Sequence, residues 1–424
     1  MYDDKTTLRS ADVAVPVETP KSLLPDGITP LSPEKIDPRS DEEIATWLQH
    51  RHSVTSDKNI WTFWHSGFAQ MRPWTQRNVI NWVRRLGPDW TVHVVDRVDG
   101  SETSIFNYID NSFFPQTFID GTMDGHKAHQ GDLVRLPLLW KYGGLWMDVG
   151  LILLRHVDDI CWKQIEDPES PYELSAVAMM HLPDTYTPLN GFLATKRGNP
   201  FIKRWHDIYL VLWSDGATNS TGFHHHPLLR HLPIFQPPSD TINVKGAADL
   251  TLNYEALTDY LTHYMCAERL RKLVDPNDGF NGAEWYAKHM LLFNAKDEMF
   301  YAQQITEWDA QRQFHLLSTP RSGDGVVVDE TWHEAEAFVT SVLANTSMVK
   351  LPHGPGGDGL PVKMLADLWD DEENRNKDNE EGSFGAFLRH GSTHFDQTRV
   401  VKKLDWQNPE EEIVTIGYLE PVKC

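Results

Sequence analysis

Asp132, Arg135 and Asp148 are the residues whose types and spacing could carry chemistry. Asp132 and Arg135 stand three apart in a stretch with helical spacing, so they project from one helix face. Asp148 follows a Gly-Gly pair and a short apolar run, Leu145 to Met147. A guanidinium at that place could grip a phosphate or a sugar hydroxyl in two-pronged fashion, and Asp132 could accept hydrogen bonds from sugar hydroxyls. Asp148 could hold a divalent cation that neutralises a departing diphosphate. Taken singly, each residue also has a plain reading. An Asp/Arg pair at this spacing is a common helix-surface ion pair, and a carboxylate after a strand can simply begin a turn.

The surrounding elements favour a site. The spacing predicts a strand over Asn59 to Trp64, a helix over Pro73 to Leu86 that Gly87-Pro88 ends, and a strand over Thr91 to Val95. Strand, helix, strand in that order predicts a parallel sheet. A second cycle follows, with a helix over Lys127 to Tyr142, stopped by Gly143-Gly144, and strand-like runs over 145–149 and 151–154. Asp148 then falls at the carboxyl end of a strand, where ligands of open α/β sheets bind. Further strands are expected over Leu174 to His181 and Gly191 to Thr195, with helices over Pro200 to Leu212, Tyr254 to Cys266 and Glu334 to Leu343. The run Asp370 to Glu381 is charged and lacks periodicity, which predicts an exposed loop or disordered insert.

The joint pattern is more specific than its parts. Asp-x-x-Arg, an apolar helix, then Tyr142-Gly-Gly-Leu-Trp-Met-Asp148 resembles the donor-binding core of the glycosyltransferase sugar-binding superfamily with a DxD motif. Within it, the capsular-polysaccharide-synthesis-like branch is closest in pattern. That resemblance implies a GT-A fold: a Rossmann-like nucleotide-sugar-binding sheet flanked by helices, with a mainly helical C-terminal elaboration. It divides the chain into an extended or poorly ordered arm (1–39), a nucleotide-sugar-binding core (40–215) and an acceptor-side elaboration (216–424). It implies a UDP-sugar donor, less readily a GDP-sugar, and Mn²⁺ or Mg²⁺ on Asp148, with Asp132 and Arg135 on the donor sugar. Trp61, Phe63 and Trp64 lie where such enzymes cradle the nucleobase, although core packing accounts for them equally. Asn190 matches a position near the reacting sugar, and its plain reading is an Asn-Gly turn. Lys350 and His353 fall where C-terminal residues close over the diphosphate. The chain departs from the superfamily at Gly150, where a full DxD has its second Asp. Either Asp148 holds a weaker metal alone, another residue completes the set, or transfer proceeds without metal, helped by basic groups such as Arg135 or Arg155.

Composition bounds the partners. A net charge of −22 over 424 residues repels nucleic acid and anionic membrane surfaces. Three well-separated cysteines suggest neither a disulfide framework nor a zinc site. His224-His225-His226 are adjacent and do not converge on one ion. The N-terminal segment has no apolar signal-like core, and nowhere do about 18 apolar residues run together. A cytoplasmic monomer or homodimer is therefore expected. Sixteen tryptophans, several in the second half, suit an apolar small-molecule acceptor such as a terpenoid or polyketide alcohol. Two rivals stand beside this reading: a degenerate fold that binds sugar nucleotides or a partner without turnover, and a glycosidase using Asp132 and Asp148 as its paired carboxylates.

Overall fold

The computed structural model describes residues 24–123, 127–182, 185–236, 253–353, 363–406 and 413–422. In chain order its strands are β1 (Ile28–Pro30), β2 (Asn59–Phe63), β3 (Thr91–Val95), β4 (Gly144–Met147), β5 (Leu151–Leu153), β6 (Leu174–Leu182), β7 (Thr185–Thr195), β8 (Leu273–Val274), β9 (Met290–Asn294), β10 (Met348–Lys350), β11 (Phe395–Gln397) and β12 (Val414–Thr415). The central sheet runs β3-β2-β4-β7-β6-β9. β2 is parallel to both β3 and β4, as expected from the two βα cycles, but β7 is antiparallel to β4 and to β6. The sheet is thus mixed rather than parallel. The reversal matters, because it carries Asn190 and Gly191 back to the carboxyl end of β4.

Strand alternation sorts side chains between two cores. Ile60, Val92, Val94, Leu145 and Met147 pack on one face with Val79, Trp82 and Val83 of the Pro73–Leu86 helix. Trp61, Val95 and Trp146 point to the other face, against Leu133, Leu136 and Leu139 of the Lys127–Tyr142 helix and Trp205 and Tyr209 of the Pro200–Leu212 helix. Burying a large apolar side chain is worth about 1.5–3 kcal/mol, so these two layers supply most of the rigidity on which the site depends. The turn joining the Lys127–Tyr142 helix to β4 requires both glycines. Gly143 and Gly144 have φ of 67° and 98°, and a Cβ on Gly144 would sit 2.3 Å from the Asn59 carbonyl oxygen.

Four expectations need correction. Of the arm expected over 1–39, residues 1–23 lie outside the described residues, while 24–39 are held in place: β1 pairs with β11, and Arg84 donates to the carbonyls of Asp37 and Arg39. Asp370 to Glu381 is ordered, because its acids meet arginines from distant segments. Asp378 is fully buried between Arg77 and Arg389, and Asp370 accepts from Trp74 Nε1 at 2.8 Å. The helix expected over Tyr254 to Cys266 breaks at Leu261 into Tyr254–Tyr260 and Thr262–Arg271. Asn190 lies inside β7 rather than at a turn. Among the described residues no helix is long and apolar enough to cross a membrane. Cys161 and Cys266 are buried free thiols, and Cys424 lies outside the described residues.

Candidate active site at the carboxyl end of β4

Asp148 emerges directly from β4, and its N–H donates to the Gly191 carbonyl at 2.9 Å, extending the β4–β7 ladder by one rung. Residues alternate along a strand, so Trp146 shares a side with Asp148 and donates from Nε1 to Asp148 Oδ1 at 2.8 Å. The other carboxylate oxygen accepts from Lys350 Nζ at 2.5 Å. Arg135 Nη2 stands 3.7 Å from Asp148 Oδ1, and its guanidinium lies over the Trp146 ring, 4.9 Å from the centroid. Burial works against the Asp148 carboxylate, but the Lys350 ammonium and the Arg135 guanidinium outweigh it and hold its pKa down to about 2.

A second, deeper layer orients Arg135. Asp132 Oδ1 pairs with Arg135 Nη2 at 2.8 Å, with both side chains buried. Arg135 Nη1 also donates to the Asn190 carbonyl. The Asn190 side chain is fully used: its amide donates to Asp132 Oδ1 at 2.9 Å and lies 3.1 Å from His263 Nδ1, and its Oδ1 accepts from the Tyr264 hydroxyl at 2.7 Å. Burial lowers the pKa of His263 far below the usual histidine range, so the ring is neutral and its Nδ1 can accept. Burial likewise raises the pKa of Asp132, with Arg135 offsetting part of the rise. Isolating either partner of such a buried pair would be costly, which fixes the guanidinium in place.

Five residues singled out in the sequence therefore converge: Asp132, Arg135, Asp148, Asn190 and Lys350. His353 does not join them. Its Nε2 lies 2.8 Å from Asp370 Oδ2 and 2.5 Å from Arg72 Nη1, on the rim beyond Lys350. Trp61 is fully buried, stacked on His93 at 4.2 Å, with Nε1 bonded to the Gly143 carbonyl, so it has no free face for a base. Phe63 is core as well. Trp64, half-buried at the end of β2, keeps an exposed portion. His224 is paired with Asp259 at 2.7 Å.

Several contributors escaped the sequence reading. Trp146 was legible, two residues before Asp148 on the same strand. Gly191 was not recognised as a close approach, yet a Cβ there would lie 2.9 Å from Asp148 Oδ2. Tyr209, His263 and Tyr264 reach the site from remote helices, and nothing in their local sequence marks them.

The site does not suit a divalent metal. Mg²⁺ and Mn²⁺ want a shell of free oxygens, whereas both Asp148 oxygens already receive N–H donors and an ammonium occupies the cation position. Gly150 supplies no second carboxylate, and the position is crowded, since a Cβ there would lie 3.0 Å from the Leu351 carbonyl oxygen. Elsewhere among the described residues, His353, Asp367 and Asp370 bring ligand atoms within 4.8 Å of one another. There the cation is Arg72, paired with Asp370.

Similarity to known proteins identifies the class of this chain. The sequence profile described as capsular polysaccharide synthesis protein matches residues 32–265. O-glycosyltransferase braB of Annulohypoxylon truncatum is 57% identical, covering 96% of each chain. Glycosyltransferase afumC of Aspergillus fumigatus is 41% identical over 91% of this chain and 97% of its own, and O-glycosyltransferase PaGT of Phomopsis amygdali 37% identical over 94% and 97%. The protein is an enzyme of the glycosyltransferase class. It belongs to the capsular polysaccharide synthesis protein family. This removes both the non-catalytic and the glycosidase alternatives.

Proposed function

We propose that this enzyme transfers a hexose or N-acetylhexosamine from a UDP-sugar to a hydroxyl of an apolar small molecule, using a GT-A-type sheet. The observation that carries the reading is the convergence of Asp132, Arg135, Asn190, Asp148 and Lys350 at the carboxyl end of β4. Two parallel strands, β2 and β4, end as neighbours there, which supports a reading in which a nucleobase stacks on Trp64 and the diphosphate meets Asp148.

In transfer, the bond from the anomeric carbon to the diphosphate oxygen breaks, and its electron pair leaves with the nucleoside diphosphate. The acceptor oxygen forms the new bond, and its proton passes to the departing phosphate. Arg135, held by Asp132 and Asn190, stabilises charge that grows on the leaving oxygens; this is worth most where water is excluded and the donor is already aimed. Hydroxyls of the donor sugar would bond to Asp132. The names of the relatives braB and PaGT support an oxygen acceptor. The exposed Tyr260 ring, 5.4 Å from His129 on the helix that carries Asp132, suits an apolar acceptor, and a cytoplasmic site of action fits the composition.

A thermal-shift screen of the full-length protein with UDP, GDP and several UDP-sugars tests this directly. A UDP-sugar should raise the melting temperature more than the free sugar does. A folded protein that responds to no nucleotide would overturn the proposal.

A further inference from the structure

Gly150 and Lys350 lie far apart in sequence but meet in the fold. β10 runs antiparallel to β5, with Lys350 opposite Leu151 and the Leu351 N–H bonded to the Gly150 carbonyl at 2.8 Å. Its backbone passes over Gly150 so closely that a Cβ there would sit 3.0 Å from the Leu351 oxygen. The strand that delivers the lysine thus also crowds the position where the Asp-Val-Gly motif lacks a second acidic residue.

The ammonium is held by more than its partner carboxylate. The Lys350 N–H donates to the Met299 carbonyl at 3.0 Å, and its carbonyl accepts from Gln303 Nε2 at 2.6 Å, so the main chain is fixed on both edges. Gly191 has no side chain where a Cβ would lie 2.9 Å from Asp148 Oδ2 and 3.6 Å from Lys350 Nζ. Three segments have made room for one ion pair, which remains partly open to solvent on both members.

We propose that Lys350 serves as the resident cation of this enzyme: it takes the place of a divalent metal beside the donor diphosphate, and Gly150 is the complementary adaptation. The inference rests on the nucleotide-sugar reading above. An ammonium has three donors, so Nζ can keep its bond to Asp148 and offer the others to phosphate oxygens as the nucleotide enters. It keeps its protons through transfer; the leaving group's charge is stabilised and no proton moves through the lysine. Asp148 then acts as the anchor that aims Lys350, and Gln303 as a positioning residue for the strand.

The test is calorimetric titration of UDP into the full-length protein, with EDTA, Mg²⁺ or Mn²⁺, for wild type, Lys350→Met and Lys350→Arg. Wild-type affinity should be the same within about twofold in all three conditions, while Lys350→Met should weaken UDP by about tenfold or more in EDTA and Lys350→Arg should recover most of the loss. A drop of about tenfold on adding EDTA to wild type, or undiminished UDP binding by folded Lys350→Met, would overturn the inference and leave the transferase reading standing. Absence of UDP binding under every condition would overturn both. Should Lys350→Met fail to fold, the EDTA comparison on wild type decides alone.

Discussion

Two clusters of acids and basic side chains sit close together in this enzyme, and they differ in whether they close on themselves. Asp378 is wholly buried, and two arginines, Arg77 and Arg389, meet its carboxylate; Arg389 goes on to bond Asn78 and the Trp74 carbonyl at the start of the Pro73–Leu86 helix. Asp148 also faces two cations, Lys350 and Arg135, but a quarter of its side chain and about a fifth of that of Lys350 remain accessible. A closed cluster fixes the fold. An open one leaves donors for a ligand and keeps its charge ready without later rearrangement. Charge content alone does not separate the two, since the acidic run near Asp378 is the more strongly charged segment.

Single substitutions should split the clusters cleanly. Asp148→Ala should lower kcat/KM by about a hundredfold or more, because the anchor for Lys350 and a neighbour of Arg135 disappear together, while the protein stays folded and loses less stability than Asp378→Ala does. Wild-type turnover would remove Asp148 from the site. Asp378→Ala should do the reverse: stability by urea unfolding should fall by about 3–5 kcal/mol as the buried Arg389 and the half-buried Arg77 lose their counter-charge, with UDP affinity of the folded fraction little changed. A stable Asp378→Ala with impaired UDP binding would mean that the closed cluster is part of the site.

Smaller effects sharpen the picture. Tyr264→Phe removes the hydroxyl that Asn190 Oδ1 accepts, and should cost about 1 kcal/mol or less, read as a modest fall in kcat with KM for the donor held. An unchanged kcat would detach the deeper layer from catalysis. The pH dependence of the open pair is the subtlest. The Asp148 pKa is lowered in the folded state, so its contribution to stability is complete above the ordinary carboxylate range and lost as pH falls through about 2. In Lys350→Met the nearest cation is gone, and the Asp148 carboxyl should titrate at higher pH in carbon-detected NMR; an unmoved titration would show that Lys350 does not set it.

Much of this was legible in the residues. The Pro73–Leu86 and Lys127–Tyr142 helices end where proline and glycine chemistry place their limits, and Asp148 falls at a strand end because the run Leu145 to Met147 stops there. Helix and strand periodicity, which are local properties, put Asp132 and Arg135 on one helix face and Asp148 at a strand end; that the three form one site was what the resemblance to the glycosyltransferase superfamily implied. What stayed hidden was long-range. The reversed direction of β7 depends on its pairing with both β4 and β6, and no local pattern reports that Asn190 returns to Asp148. The ordering of Asp370 to Glu381 depends in part on Arg77, 301 positions from its partner Asp378, together with the nearby Arg389. Trp61 illustrates the opposite error: an aromatic in a strand can stack on a ligand or on a neighbour, and here His93 on β3 takes its face.

The measurement that tests the central claim most directly is calorimetric titration of UDP-sugars into wild-type enzyme and Asp148→Ala, with folding of both verified by thermal unfolding. The account predicts saturable binding of at least one UDP-sugar to wild type and its loss in an Asp148→Ala protein that remains folded at the temperature of the titration. Equal binding by the two proteins would contradict a donor site at the carboxyl end of β4.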